Sequence, residues 1–396
     1  MNHFNSTFIP LEPDFQHTQP AALLHRPSSL EYGSRWNTFG SSSDWGSDLA
    51  GPALGEFLER RHFYLDVTPD ATKPLGDVLR PAEVQQFMRA FAQTSITYNE
   101  HSFLEHHFSM STVIRLEDFT TCHIPTVCIS LSATTNPEDD SYFPVRDTCG
   151  CSAHTDITLA SLNSLKESLE RQFLLKSWLT ETCNEFIDLP SAAHAISRLP
   201  SEDLLRDLAL CGNLLILDIS DNAFPGCCIM VCFGSPQPTA KVRFCSGMSY
   251  AEDRPKALHK AIKELWQTFR FMHYFHANQS STSELSDPYL KHFFSCNHFN
   301  TFNRILRFKE LTGAPNKTKL TLKSLIESIK TLNLSGFLYL RQIGNEQRPF
   351  YACKYLSPQT FLHMNNAEHF NIENKYSDPF KHLISKKQLS EMVPFP

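Results

Sequence analysis

Two kinds of apolar pattern alternate along this chain. The runs "NLLILDIS", "CCIMVCF", "GFLYLRQI" and "FYACKYL", with "IPTVCISLSATT" before them, are short, continuous and rich in β-branched or aromatic residues, which predicts buried strands. Three other segments have a helical period. At about 100° per residue, Leu54, Phe57, Leu58 and Leu65 share one stripe of the first, and Leu162, Leu165, Leu169 and Phe173 one stripe of the second. Leu258, Ile262, Leu265 and Phe269 make the stripe of the third. The first helix is expected to start near Pro52, whose ring suits a first turn, after the loop-like stretch "NTFGSSSDWGSDLAGP". Residues 1 to 30 carry Pro10, Pro13, Pro20 and Pro27 among polar residues and read as an extended N-terminal arm. From residue 31 to 396 strands and helices alternate irregularly, and the polar spacers "TTNPEDDSYFP" and "HANQSSTSELSDP" are too short to force a domain boundary. The pattern predicts one α/β domain of mixed α+β type, with pseudo-repeated helices packed on mixed sheets.

The faces opposite the stripes repeat as well. "ALGEFLERRHFY" from Ala53 and "SLKESLERQFLL" from Ser164 share the spacing of Glu56, Glu59 and Arg60 with Glu167, Glu170 and Arg171. "AIKELWQTFRFM" from Ala261 keeps the first carboxylate as Glu264 and has Gln267 in place of the second. A single copy would read as a solvated helix face. Three copies, separated by 111 and 97 residues, are too far apart for a solenoid and suit helices at equivalent corners of a pseudo-symmetric core. If the faces meet, Glu56, Glu59, Glu167 and Glu170 would repel one another unless cations sat between them, and all-oxygen sites suit Mg²⁺. Mg²⁺ implies a nucleotide, whose phosphates Arg60, Arg171 and Lys260 would meet. The chain has no G-x-x-x-x-G-K-[ST] and no strand followed by G-x-G-x-x-G, so ATP would be held by carboxylate-bound metal and basic side chains.

Composition narrows the class. With 396 residues, 41% hydrophobic and 31 of them Phe, the chain can bury a large core without staples. A net charge of −6 leaves no electrostatic footprint for nucleic acid. No stretch approaches the roughly 20 apolar residues that span a bilayer, and the N-terminus lacks a signal-peptide pattern, which predicts a cytoplasmic protein that does not engage membranes. The 12 Cys fall singly or in apolar strand-like sequence, without a C-x-x-C pair, and read as buried thiols.

The three polar faces resemble the nucleotide-binding blocks of the YcaO-type ATP-dependent cyclodehydratases, S-A-L-x-E-x-x-E-R, E-x-x-E-R and R-x-x-x-E-x-x-Q. Here they stand as "PALGEFLER", "ESLER" and "KAIKELWQ", with Pro52 in the Ser position and Lys260 in the Arg position. The ending "EMVPFP" is similar to the P-x-P-x-P terminus that azoline-forming members carry toward the active site, with Met392 at the first proline and Pro394 and Pro396 at the others. "RPFYACKYLSPQTFLHMN" looks like the family's late strand and turn, which makes Lys354 a candidate for a phosphate or substrate contact.

The resemblance implies a reaction. A substrate Cys, Ser or Thr side chain attacks the preceding backbone carbonyl, ATP phosphorylates the resulting oxyanion, and loss of phosphate leaves an azoline ring. It implies Glu56, Glu59, Glu167 and Glu170 as metal ligands, and Arg60, Arg171, Lys260, Glu264 and Gln267 as nucleotide contacts. The terminal carboxylate of Pro396 is the candidate base, by position alone. Expected partners are a precursor peptide, an E1-like leader-binding subunit and a flavin-dependent azoline dehydrogenase, because the chain has neither a zinc pair nor a flavin fingerprint of its own. Two alternatives stay open at this level: ATP-dependent backbone thioamidation, and a non-catalytic scaffold that keeps the helices for packing.

Overall fold

A computed structural model describes residues 15–19, 26–34, 39–46, 48–134, 136–278, 281–285, 288–311, 316–345 and 348–395. Three antiparallel sheets make its frame. The smallest runs β1 (Phe15–Gln19), β2 (Ser28–Gly33) and β3 (Phe39–Asp44) in spatial order. The largest has the order β4-β5-β12-β13-β7, with β6 also paired to β5, from strands β4 (Ala71–Lys73), β5 (Phe108–Arg115), β6 (Thr121–Pro125), β7 (Cys151–His154), β12 (Phe337–Asn345) and β13 (Arg348–Leu356). The third stacks β8 (Glu185–Phe186), β9 (Asn213–Asp218), β10 (Cys227–Gly234) and β11 (Phe244–Ala251) in sequence order.

Three helices join these sheets: α1 (Ala50–Arg61), α2 (Ile157–Thr180) and α3 (Arg254–Ala277). Asp156 and Asp253 set the starts of α2 and α3 by accepting from the backbone N–H of Leu159 and Lys256, both at 2.9 Å. Helix α1 packs on β2 and β3 and touches β7, α2 packs on β13 and β7 and reaches β11, and α3 packs on β10 and β11. The third sheet is therefore covered on both faces. Cys228, Met230 and Cys232 of β10 belong to the core under α2, whereas Ile229, Val231 and Phe233 belong to the core under α3. That period of two explains a run with no polar partner face: a strand buried on both sides is apolar throughout.

Several expectations are corrected here. "NTFGSSSDWGSDLAGP" contains strand β3, because Gly40 and the serines are small enough to lie against α1. The strand expected over "IPTVCISLSATT" ends at Pro125, and Thr126–Cys128 form a 3₁₀ turn. Leu65 does not join the stripe of α1: the helix changes at His62–Asp66 to a π-helical turn, which rotates Leu65 outward to 37% exposure. The thiols are all free and nine are buried, but Cys211 is exposed and Cys227 and Cys296 are half-buried. Among the described residues no helix is long and apolar enough to cross a membrane. Within residues 1–30, residues 15–19 and 28–30 belong to β1 and β2.

Candidate active site

The polar faces of α1, α2 and α3 point into one cleft. Glu56 of α1 is fixed by strand β3, whose Ser41 backbone N–H donates to Glu56 Oε2 at 2.8 Å. Glu170 of α2 is fixed by β11, through the Tyr250 N–H at 2.6 Å. Gln267 of α3, with its amide turned to satisfy both neighbours, donates to Glu264 Oε2 at 3.2 Å and accepts from the Ser43 N–H at 3.1 Å. Arg60 lies 3.6 Å from Glu56 and 3.2 Å from Glu59, and Arg171 lies 3.8 Å from Glu170. Lys260, exposed one turn before Glu264, acts on Glu170 through its charge.

Electrostatics show how close the helices come. Burial pushes the Glu59 carboxyl up to about 7, with Arg60 opposing and Glu56 reinforcing. Burial raises Glu167 too, and the charge of Glu59 on the neighbouring helix adds to the shift. Glu264 has an exposed side chain, yet crowding by the surrounding protein raises its carboxyl, and the charges of Glu56 and Glu170 add to the rise. Five acidic groups from three helices therefore feel one another, and the cluster is short of positive charge even with two half-buried arginines beside it. Lys354 is buried at the edge: its ammonium donates to the Asp147 carbonyl at 3.3 Å and opposes the rise at Glu59.

A carboxyl that holds its proton to about 7 when folded, against 4.5 ordinarily, makes the folded state bind the extra proton between those values. Stability then falls as pH rises through that window and stays low above it. The thermal midpoint of the ligand-free chain should drop between about pH 5 and pH 7.5, and less steeply in Glu59→Gln. Differential scanning calorimetry in matched buffers reads the two slopes, and equal slopes would show that Glu59 is not held in its protonated form.

The cleft fits magnesium and a polyphosphate. Among the described residues no three acidic, His or Cys groups gather closely enough to hold a metal ion by themselves, but Mg²⁺ normally takes one or two carboxylates and completes its shell with water and phosphate oxygens. Arg60 Nη1 is sealed from solvent and makes no hydrogen bond within the protein, although a carboxylate is near; such a buried donor is satisfied by an anionic oxygen. Pro396, the candidate base, lies outside the described residues. Its neighbour Phe395 is placed in the site, with the Arg171 guanidinium 5.3 Å from its ring centre. Sequence reasoning missed Ser41, Ser43 and Tyr250, which act through backbone N–H groups that residue type does not reveal.

Three helices that bring five carboxylates and two guanidinium groups together make a site suited to Mg²⁺ and a polyphosphate. A family model described as YcaO cyclodehydratase, ATP- and Mg²⁺-binding, matches residues 52–360, and the chain belongs to this family. It is 32% identical over 356 residues to the microcin B17-processing protein McbD of Escherichia coli, covering 87% of each chain. It superimposes on a chain of the E. coli microcin synthetase McbBCD complex with pro-MccB17 bound at a TM-score of 0.88 and 27% identity, over 98% of this chain and 99% of that one. YcaO from Methanopyrus kandleri, solved with AMPPCP and Mg²⁺, shares the fold at a TM-score of 0.57 and 11% identity, over 88% of this chain and 86% of that one. The protein is thus a YcaO cyclodehydratase that uses ATP and Mg²⁺.

Proposed function

We propose that this chain is the cyclodehydratase subunit of a microcin-type synthetase, closing Cys and Ser or Thr residues of a ribosomally made precursor peptide into thiazoline and oxazoline rings. The observation that carries the reading is the meeting of Glu56, Glu59, Glu167, Glu170 and Glu264 in one cleft beside Arg60 and Arg171. Likeness to McbD and to the McbBCD complex over nearly the whole chain supports the peptide substrate and the company of other subunits. We assign those subunits as an E1-like leader-binding chain and a flavin-dependent azoline dehydrogenase, with the complex in the cytoplasm. Residues 31–396 act as one domain in this scheme.

When bound, Mg-ATP supplies the phosphoryl group that turns an amide oxygen into a leaving group. The chain's own part is to hold and orient. Glu56 and Glu170, each anchored by a backbone N–H, would offer metal ligands of fixed direction, and Glu59 and Glu167, raised by burial, would lose their protons to a bound cation. Arg60 and Arg171 keep their charge at any working pH and would face the phosphates. Lys260 offers a more flexible charge at the rim, and Glu264 with Gln267 forms a paired edge for the nucleotide. Residues 391–395 close the site from the far side, where Phe395 meets Arg171.

The test is reconstitution with partner subunits, Mg-ATP and a Cys- and Ser-bearing precursor peptide. The expected product has lost one water per ring, with ADP and phosphate released in step. Exchange of an amide oxygen for sulfur with no ring formed would replace the proposal with thioamidation, and undiminished ring formation by a complex carrying Glu167→Ala would replace it with a scaffold role.

A further inference from the structure

Residues 391–395 run along a built seat. Val393 and Phe395 are 1% and 5% exposed, and with Pro394 they close a small apolar cavity bounded by Leu174, Trp178, Met230, Ile305 and Phe308. Trp178 Nε1 donates to the Glu391 carbonyl at 2.8 Å, Arg304 pairs with the Glu391 carboxylate, and His292 Nε2 meets the Met392 carbonyl at 3.1 Å. These contacts hold the segment along its length. One buried side chain bonds both sides of the bend at Glu391.

That side chain is Asn366, 3% exposed, in the irregular segment after β13. Its Nδ2 faces the carbonyls of Gln388, Leu389 and Glu391 at 3.1, 3.1 and 3.0 Å, and its Oδ1 accepts from the Val393 N–H at 2.9 Å. The carbonyls belong to the end of the short helix Lys386–Ser390 and the residue after it, where a helix leaves acceptors unpaired. One amide therefore ties the end of that helix to the strand-like residues that follow, and fixes the angle between them. An amide alone offers donor and acceptor on one planar group, which is why neither Asp nor Ser could make the same set.

We propose that Asn366 is a positioning residue for cyclodehydration: its side chain sets the bend that carries residues 393–395 to Arg171. The inference rests on the reading that residues 391–395 serve the active site. If Asn366 only stabilised the helix end, its loss would lower melting temperature without a specific effect on turnover. If it acts through the bend, its loss must do nothing further once the segment is gone.

The experiment uses the reconstituted complex with four variants: Asn366→Ala, Val393→Pro, deletion of residues 392–396, and the deletion combined with Asn366→Ala. Val393→Pro removes the N–H donated to Asn366 and leaves the contacts to the helix end, so it reads the bend even if Asn366→Ala folds poorly. Both substitutions should lower kcat for ring formation by about a hundredfold, the scale of loss expected from misplaced groups. Mg-ATP affinity should be unchanged, and carboxypeptidase should release C-terminal residues faster than from the unaltered chain. The combined variant should be no slower than the deletion alone. Multiplying losses in the combined variant, or normal kcat in both Asn366→Ala and Val393→Pro beside an inactive deletion, would overturn the proposal and leave the reading of the segment intact. A fully active deletion would overturn that reading and the proposal with it.

Discussion

Glu167→Gln is expected to stop ring formation while making the ligand-free chain more stable. Glu167 lies where α2 faces α1, its carboxyl raised by burial and by the charge of Glu59, with Arg171 and Arg60 only partly offsetting them. Glutamine keeps the shape and removes a charge the protein alone does not satisfy, so the thermal midpoint should rise near neutral pH. The same change takes away one of the carboxylates proposed to hold Mg²⁺, which would neutralise charge on the phosphoryl group. A loss of about 10³-fold in cyclodehydration, near 4 kcal/mol of transition-state stabilisation, is the expected scale. Calorimetric titration with Mg-ATP should show weakened or lost binding in a chain whose circular dichroism is unaltered. Loss of stability together with full activity would mean that Glu167 is a structural residue and that the cleft works without it.

The second large effect should come from residues that carry no chemistry. A Cβ on Gly247 of β11 would stand 2.0 Å from the Leu265 backbone nitrogen and 2.4 Å from the Ala261 carbonyl, and one on Gly40 of β3 would stand 2.2 Å from both the Ala53 carbonyl and the Phe57 nitrogen. In each case the obstacle is helix backbone, so no side chain can rotate away. Alanine must push α3 off β11 or α1 off β3, at about 3 kcal/mol for an overpacked core. Gly247→Ala should hardly accumulate as folded protein, because β11 is buried along its whole length between α2 and α3. Gly40→Ala, in the peripheral sheet, should fold and lose nucleotide binding, since the Ser41 to Glu56 and Ser43 to Gln267 contacts depend on that close approach. Chemical denaturation gives the stability of each, and Mg-ATP titration of the folded fraction gives the second effect. A Gly40→Ala chain that binds as before would show that β3 does not position Glu56.

The carboxylates, the arginines and the helices that bear them were legible before any fold was known. Spacing along a helix is a local property: one turn sets which residues share a face, and Glu56, Glu59, Arg60 and their counterparts declare themselves by repetition. Family resemblance then added the roles. Local pattern was less informative where a segment's shape depends on what it packs against. The sequence "FGSSSD" has no apolar alternation to mark a strand, yet it forms β3 because small residues let α1 approach. Leu65 keeps the helical phase of its neighbours and still points outward, because the chain changes there from α to π geometry.

What the sequence determined by itself is therefore the inventory of the site and the faces that carry it: three helices, five acidic groups, two arginines and a lysine, read from periodicity and from blocks of residues. Only the tertiary structure decided that those faces converge, which carboxylates are anchored and which are left raised, and what holds residues 391–395 in place. The anchors of Glu56, Glu170 and Gln267 are backbone N–H groups, which every residue but proline carries, so no side chain announces them. The burial that drives Glu59, Glu167 and Glu264 toward protonation, and the repulsion from other helices that adds to it at Glu167 and Glu264, come into being only when the sheets bring the helices together.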